Sequence, residues 1–216
     1  MARPASDIRA RILEAARGRF LVQGVDGAAL RAIANDAGTS IGMVYYYFKS
    51  KDELFLAVVD DAYQALLGDF EQALKADVPP EQRLARLYHR IARMDDREFQ
   101  VVRLIMREAL ISSSRLTRIA ERFQQGHVPL VLATLAEGVA TGRLDPQLHP
   151  AVLVAATASL GLLPQILHRL ISATALPAAS LLPDREAAAH ALAGVLLSGI
   201  GGPALKVSGA KKKTAR

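Results

Sequence analysis

The sequence predicts an all-α fold of about nine helices, with a small N-terminal head on a larger helical body. Alanine and leucine dominate the 216 residues, and both lose little side-chain freedom in a helix. Apolar residues recur at steps of three and four, and no long alternation of apolar and polar residues indicates a strand. Because 51% of the residues are hydrophobic and 22% are charged, the chain can bury a core.

Three short helices are predicted for the head. Gly24 and Gly38 follow the first two helices, where the left-handed backbone of a helix C-terminus favours glycine. A hydroxyl side chain precedes the first and the third, where it can accept a hydrogen bond from an exposed amide. Helix 1 starts at Ser6 or Asp7, helix 2 covers about 30–37, and helix 3 runs from a cap at Thr39 or Ser40 to about Tyr46.

Six longer helices are predicted for the body. Helix 4 begins at a capping box, in which the Ser50 hydroxyl and the Glu53 carboxylate each satisfy a backbone amide. Pro129 should kink helix 7, because proline has no amide hydrogen and its ring clashes with the preceding turn. Beyond helix 4, the predicted spans are about 81–94, 97–111, 115–141, 150–174 and 184–200 for helices 5 to 9.

Charge is distributed unevenly along the chain. The net charge is +6, with +4 in residues 1–51, +5 in the tail from Lys206, and −3 between them. A basic head favours a polyanionic partner, although a solvated charged face explains the same numbers equally well. The predicted division is a helix-turn-helix head at 1–51, a ligand-binding and dimerisation body at 52–204, and a disordered basic tail at 205–216.

Several classes of site are excluded by composition. The chain has no cysteine, which excludes disulfides, cysteine-based zinc sites and thiol catalysis, and fits a reducing cytoplasm. Its five histidines include no pair at helical spacing, so no metal site is expected. The hydrolase, phosphate-binding and dinucleotide motifs are missing, and Ser112–Ser114 with His127 lacks an orienting acid. We therefore expect no catalytic residue and no cofactor.

One weakly charged stretch, Ala151 to Leu167, resembles a membrane span in composition. It is 17 residues long and contains Gly161 and Pro164, whereas a span needs about 20 strongly apolar residues. We expect a buried helix here, no membrane association, and a cytoplasmic protein.

A short helix, a glycine turn and a second short helix describe a helix-turn-helix, whose second helix enters the DNA major groove. Tyr45, Tyr46 and Tyr47 are consecutive, so they cannot all point into one small core. An outward tyrosine can donate a hydrogen bond to phosphate, and Lys49 and Lys51 add positive charge beside it. From spacing alone, an equal alternative is that the tyrosines only pack helix 3 against its neighbours.

The stretch from Gly24 to Phe55 resembles the DNA-binding head of the TetR family of repressors. Where the family usually has threonine or serine, this chain has Ala28-Ala29, so the amides of helix 2 must bind phosphate or water without that cap. The resemblance extends over residues 7–56 and is carried by Ile33-Ala34, Ala37-Gly38, Val44-Tyr45, Tyr47-Phe48, Ser50-Lys51 and Leu54.

The resemblance implies that helix 3 and its surroundings contact double-stranded operator DNA. Ile41, Gly42 and Met43 would approach base edges, but they cannot make the bidentate contacts that specify bases most strongly. We therefore expect Arg31 and apolar contacts with thymine methyl groups to carry much of the readout. The candidate DNA-binding residues are Arg31, Thr39, Ser40, Ile41, Gly42, Met43, Tyr45, Tyr46, Tyr47, Lys49 and Lys51.

For the body, the resemblance implies a small-molecule effector and a homodimer formed by predicted helices 8 and 9. Both helices are rich in small residues and apolar on nearly all sides, which favours a helical interface over packing within one chain. The effector is expected to be largely apolar. Its candidate contacts are Met94, Phe99, Arg103, Met106, Arg107, Phe123, His127, Thr134, Gln165 and His168.

Some of these candidates also have an ordinary structural explanation. Arg103 and Arg107 lie one turn apart and can meet a carboxylate or phosphate, but such a pair is more often a solvated face. His127 and His168 are more often structural than ligand-binding. Pro129 and Pro164 could open room for a pocket.

The sequence therefore predicts a ligand-responsive repressor that binds a palindromic operator as a homodimer, with helix 4 as the lever that releases it. Two other functions stay open. A constitutive architectural or activating DNA-binding factor would have a closed body without an effector pocket. An enzyme would need a catalytic constellation, which the sequence lacks.

Overall fold

The computed structural model describes residues 5–111, 114–145, 147–174 and 183–198, and within them it has ten helices and no strand. The all-α prediction is confirmed, whereas residues 112–113 of the predicted serine loop and the predicted basic tail lie outside these ranges. The helices are α1 (Ala5–Gly27), α2 (Leu30–Asp36), α3 (Ile41–Tyr47), α4 (Lys51–Leu74), α5 (Pro80–Ala92), α6 (Asp96–Ile111), α7 (Ser114–Gln125), α8 (His127–Ala140), α9 (Pro150–Ser172) and α10 (Arg185–Ser198).

The predicted glycine stops of the first two helices are confirmed. Gly24 interrupts α1 with a φ of +76°, and Gly38 follows α2 with a φ of +60°. Both angles lie in the region that glycine enters without the strain a Cβ would cause. Of the two caps proposed for α3, Ser40 is the one used, because its side chain accepts a hydrogen bond from the Met43 amide at 3.3 Å.

The helix starts of the body depend on acidic and hydroxyl caps. The Ser50 hydroxyl accepts from the Glu53 amide at 3.0 Å, as the capping box predicts, but the Glu53 carboxylate reaches back to the Lys49 amide at 3.0 Å. A reciprocal box that the sequence analysis missed joins Asp95 and Glu98 at the start of α6. Each cap satisfies an amide that the first turn of a helix would otherwise leave unpaired.

The prediction of a single, kinked seventh helix is wrong. The chain forms two helices there, α7 and α8, and the break between them falls at Gly126 instead of Pro129. Pro129 lies in the first turn of α8, where its missing amide hydrogen costs nothing. The Tyr63 hydroxyl occupies the break, accepting from the His127 amide at 3.2 Å and lying 2.9 Å from His127 Nδ1. A Cβ at position 126 would overlap this hydroxyl, so glycine allows the close approach.

The chain forms two compact units. The first comprises residues up to Asp69 and Met94–Val128, and the second comprises Phe70–Arg93 and residues from Pro129 onward. In the first unit, Val101, Leu104 and Ile119 of α6 and α7 join the core of α1 to α4. This structural division differs from the predicted boundary at residue 51 between a DNA-binding head and a ligand-binding body. That functional boundary stays a prediction.

The core of the second unit consists of two small clusters contributed by α5, α8, α9, α10 and the turn after α8. Gly138 lets the Leu144 side chain approach α8, since a Cβ there would lie 2.8 Å from Leu144 Cδ1. The clusters contain Leu84, Leu135, Leu144 and Leu153 in one case and Tyr88, Ala92, Ala189 and Ala193 in the other.

The expectation that 151–167 forms a buried helix is wrong for the single chain. Only one face of α9 is buried, because the other helices of its unit pack against that face alone. By length and composition α9 could cross a membrane, and it is the one helix in the described part of the chain that could. A helix at a protein interface has the same properties. The opposite face exposes Val152, Leu163, Leu167 and Leu170, each by half or more.

Gly126→Ala should lower the free energy of unfolding by about 1–3 kcal/mol, because the added methyl group displaces the Tyr63 hydroxyl from the break. Gly68→Ala is the matched control: it lies within α4 with no atom within 4 Å of its Cβ position, and alanine there should stabilise the helix by about 1 kcal/mol. Urea unfolding measures both. Equal effects of the two substitutions would show that the close approach at Gly126 does not constrain the fold.

Candidate nucleic-acid interface

Helix α1 holds α2 in place through two arginines. Arg11 Nη1 donates to the Ala37 carbonyl at 2.6 Å, where the last turn of α2 leaves carbonyl oxygens without helical partners. Arg19 forms a two-pronged pair with Asp36, with contacts of 2.5 and 2.9 Å, and holds the pKa of that carboxyl below its ordinary value. Both contacts fix the C-terminal end of α2, from which the turn to α3 begins.

Helix α3 is anchored on one side and open on the other. Val44 is fully buried, and Phe48 just beyond the helix is 3% exposed. On the open side, Tyr45 is 52% exposed and Tyr46 is 78% exposed, and Gly42 is also exposed. The helix therefore presents two aromatic hydroxyls and a bare backbone position to solvent, as a groove-binding helix requires.

Six residues of α3 are candidate DNA contacts, but three of them are only half-exposed. Ile41 and Tyr47 are half-buried and pack against the core, and Met43 is half-buried as well. Ile41 and Tyr47 flank Val44 by three residues on either side, so the helical period carries them toward the same buried edge. The surface available for DNA contact is consequently narrower than the sequence predicted.

Positively charged side chains surround the exposed face of α3. Some of them are exposed, and others make contacts within the protein. Arg31 and Lys49 are exposed. Arg9, which the sequence analysis missed, places its guanidinium 5.7 Å from the centre of the Phe48 ring, a cation–π contact. No sequence signal could have found it, because Arg9 and Phe48 are 39 positions apart and meet only in space.

Lys51 is engaged by the protein itself. Its Nζ donates to the carbonyl oxygens of Asp26 at 2.6 Å and Ala28 at 3.2 Å, and so closes the segment between α1 and α2. Thr39 is half-buried, and Ser40 is exposed while capping α3. Ala29 provides no side-chain cap for α2, as expected for alanine.

A buried guanidinium connects α7 with three other elements of the first unit. Arg115 Nε donates to Glu108 on α6 at 2.6 Å, and its Nη1 donates to Asp52 in the first turn of α4 at 3.0 Å. Both terminal nitrogens contact the Asp26 carboxylate, at 2.9 and 3.1 Å. The Arg115 side chain is 8% exposed and that of Glu108 is 1% exposed, so this pair is nearly shielded from water.

The network reaches the helix-turn-helix through Asp26. Hydrogen bonding from Arg115 lowers the pKa of the Asp26 carboxyl, while the Asp26 carbonyl oxygen accepts from Lys51. Nearby, a Cβ at Gly24 would lie 2.7 Å from Arg107 Nη2, so glycine is needed for this approach as well as for its positive φ. Two cations from α6 and α7 thus meet the end of α1, where the helix dipole favours positive charge.

Comparison with known proteins supports the helix-turn-helix. The family model described as "Bacterial regulatory proteins, tetR family" matches residues 12–58. The chain is 28% identical over 141 residues to the transcriptional repressor KstR2 of Mycolicibacterium smegmatis, an alignment that covers 65% of this chain and 69% of that protein. It is 37% identical over 87 residues to the repressor NicS of Pseudomonas putida, covering 40% and 41% of the two chains.

The N-terminal head of the chain is of the TetR-family type. The fold of the chain is similar to that of the transcriptional regulator FadR from Bacillus subtilis, solved in complex with stearoyl-CoA. The TM-score is 0.71 at 18% identity, and the match covers 89% of this chain and 99% of FadR. At that identity the likeness shows the fold alone. TetR-family regulators bind DNA, and the residues matched by the family model contain both α2 and α3.

The candidate effector contacts fall in both compact units. In the first, Arg103, Met106 and Arg107 lie on the solvent side of α6, with Arg107 against Gly24. Met94 and Phe99 are buried, while Phe123 and His127 are half-buried and stack near Tyr63. In the second unit, Thr134 and Gln165 are buried and His168 is half-buried. Their role in binding stays a prediction.

Arg115→Met should lower the free energy of unfolding by about 3–5 kcal/mol, because it leaves Glu108 buried without its counter-charge. Arg122→Met is the matched control on the same helix: its pair with Asp60 at 3.0 Å is half-exposed, and such pairs contribute about 0–1 kcal/mol. Chemical denaturation of both variants measures the difference.

The double variant Arg115→Met/Glu108→Leu provides a check on the cause. It should recover part of the lost stability, because it removes the unpaired charge and fills the site with apolar groups. A double variant less stable than Arg115→Met would contradict this explanation.

Proposed function

We propose that this TetR-family chain is a ligand-responsive repressor that binds a palindromic operator as a homodimer and is released by a small-molecule effector. The observation that carries the proposal is the outward face of α3, where Tyr45 and Tyr46 are exposed on a short helix that is capped, anchored at Val44 and flanked by cations. Such a protein acts in the cytoplasm, where bacterial DNA lies.

Recognition of DNA would combine few base contacts with many phosphate contacts. Arg31 is the one cation between positions 30 and 47, so it is the side chain able to make a bidentate contact with guanine there. Gly42 and the half-buried Met43 allow close approach to thymine methyl groups. Tyr45, Tyr46 and Lys49 suit phosphate contacts, which position the helix without reading sequence.

Dimerisation would use the exposed face of α9 together with α10. The leucines at 163, 167 and 170 follow one another at steps of four and three along α9, which places them on one helical stripe. On α10 the exposed face carries Ala187, Ala191 and Gly194, small residues that let helices approach closely. Two copies of this pair would form a four-helix interface that covers the apolar stripe.

Release would follow from linkage between the effector and the spacing of the two reading helices. Half-sites one helical turn apart require the two reading helices of the dimer to lie about 34–36 Å apart. An effector that binds a differently spaced conformation more tightly weakens DNA binding by the ratio of its two affinities. Within the first unit, Arg115 connects α7 to the start of α4, so α4 and Arg115 together are the proposed lever. FadR, a protein of similar fold, was solved with stearoyl-CoA, and the apolar acyl chain of that ligand supports an effector with a long apolar part.

Arg31→Ala should reduce the preference for operator over random DNA by about 1–3 kcal/mol, because it removes the bidentate base contact.

Tyr45→Ala should weaken binding to operator and random DNA alike, because it removes a phosphate contact. Arg118→Ala is the charge-matched control, since Arg118 is exposed on α7 away from the proposed face. Titration of the chain's own upstream DNA, with random DNA as competitor, measures all three.

The outcomes separate the parts of this proposal. Full operator preference in Arg31→Ala would assign base readout to other residues. Equal weakening by Arg118→Ala would indicate a non-specific charge effect, against a defined reading face.

Leu167→Asp should convert a dimer into monomers, because it places a charge in the centre of the apolar stripe where burial leaves it unpaired. Leu110→Asp is the matched control, as Leu110 on α6 is 84% exposed and lies outside the proposed interface. Sedimentation velocity measures both. A monomeric wild-type chain, or a dimer that tolerates Leu167→Asp, would contradict an interface on this face.

A further inference from the structure

The second unit buries polar atoms for which the described residues provide no hydrogen-bond partner. Three of them belong to uncharged side chains: the Tyr88 hydroxyl, Thr157 Oγ1 and Gln165 Oε1. The three residues are 1%, 4% and 2% exposed respectively, so solvent does not satisfy these groups either. Native proteins rarely leave a buried polar atom unpaired, and each such group calls for a reason.

All three residues lie close to Gly161 of α9. Thr157 and Gln165 are each one helical turn from Gly161, on the buried face of α9. The Tyr88 ring of α5 packs against Gly161, where a Cβ would lie 3.3 Å from the ring's Cε1. The hydroxyls of Tyr88 and Thr157 are close enough to influence one another, but their geometry is not that of a hydrogen bond.

The surroundings of Tyr88 are apolar. Tyr88 belongs to a cluster with Ala92, Ala189 and Ala193, and Ile91 Cδ1 lies 3.2 Å from the Cβ position at Gly161. Burial raises the pKa of Tyr88 to about 12, so its hydroxyl stays a neutral donor. A charged ligand group placed here would lack a counter-ion in that cluster and would be costly to bury.

We propose that the second unit binds an uncharged, largely apolar molecule through a hydroxyl or amide group held by Tyr88, Thr157 and Gln165. The Tyr88 and Thr157 hydroxyls can donate to an oxygen of the ligand, and Gln165 Oε1 accepts from its hydroxyl or amide hydrogen. A carboxylate would face the Gln165 oxygen without a hydrogen to give it, and the described cluster around Tyr88 contains no carboxylate to pair with an ammonium ion. This proposal rests on the proposed function, because it names the chemical class of the effector that would release the repressor.

The first arm of the test measures the ligand-free chain. Thr157→Val and Tyr88→Phe should each raise Tm by about 2–4 °C, because they remove an unpaired buried hydroxyl at nearly constant volume. Thr134→Val is the matched control: Thr134 is equally buried in this unit, but its hydroxyl donates to the Leu130 carbonyl at 2.8 Å. This control should not gain stability. A fall in Tm for both Thr157→Val and Tyr88→Phe would show that the hydroxyls are already satisfied, by each other or by a buried water, and would overturn the proposal.

The second arm uses four probes with the same octyl chain and different head groups: 1-octanol, octanamide, octanoate and octylammonium. The alcohol and the amide should raise Tm of the wild-type chain by at least about 2 °C more than that of Thr157→Val or Gln165→Leu. Thr141→Val is the binding control, because Thr141 lies outside the candidate contacts and its hydroxyl donates to the Glu137 carbonyl at 2.8 Å; it should respond as the wild type does. Equal shifts with octanoate or octylammonium, an alcohol response that survives Thr157→Val, or no response to the alcohol or amide would each overturn the proposal.

Neither arm involves DNA, so its result is independent of the operator experiments. A chain that binds the alcohol at these residues without operator preference would contradict the proposed repressor and keep the site. A chain with operator preference but no response to the uncharged probes would keep the repressor and remove this site.

Discussion

The Arg115 guanidinium is the contact on which the first compact unit depends most. It brings carboxylates from the end of α1, the first turn of α4 and the middle of α6 to one cation. A buried pair of this kind is expensive to break because either partner alone leaves an uncompensated charge. Arg115 therefore links α7 to α1, α4 and α6 in addition to the apolar packing of Ile119, and the helix-turn-helix lies directly beyond Asp26.

From Asp26 the constraint passes to the DNA-facing surface through short backbone contacts. Lys51 binds the carbonyl oxygens of Asp26 and Ala28, and Arg11 binds the carbonyl of Ala37. These bonds fix both ends of the α2 region, so α3 is presented as a rigid element. A displacement of α7 would act on this chain of contacts first, which gives the proposed effector response a physical path in the first unit.

Buried polar groups are paired to different degrees in the two units. In the first, Arg115 makes four short contacts with three carboxylates, although Glu108 Oε1 has no hydrogen-bond partner among the described residues. In the second, Tyr88, Thr157 and Gln165 stay unpaired beside a close helix contact at Gly161. Burying polar groups without partners costs stability, and such a cost is typical of a site whose partner is a bound molecule.

The sequence by itself determined the helical fold and the local features that require only neighbouring residues. The glycine stops at Gly24 and Gly38 and the cap at Ser40 follow from backbone conformation and hydrogen bonding over three or four positions, and so they could be predicted. The crowding of three consecutive tyrosines predicts that at least one faces outward, and the structure shows that Tyr45 and Tyr46 do.

Only the tertiary structure decided which distant residues meet. It placed Arg115 among three carboxylates, laid Arg9 over Phe48, turned Ile41 and Tyr47 toward the core, and moved the break in the predicted seventh helix from Pro129 to Gly126. At that break the deciding atom is the hydroxyl of Tyr63, more than sixty positions away in the chain. Helical periodicity gives the face on which a residue lies, but the partner of that face depends on how the helices pack, and local sequence does not contain that information.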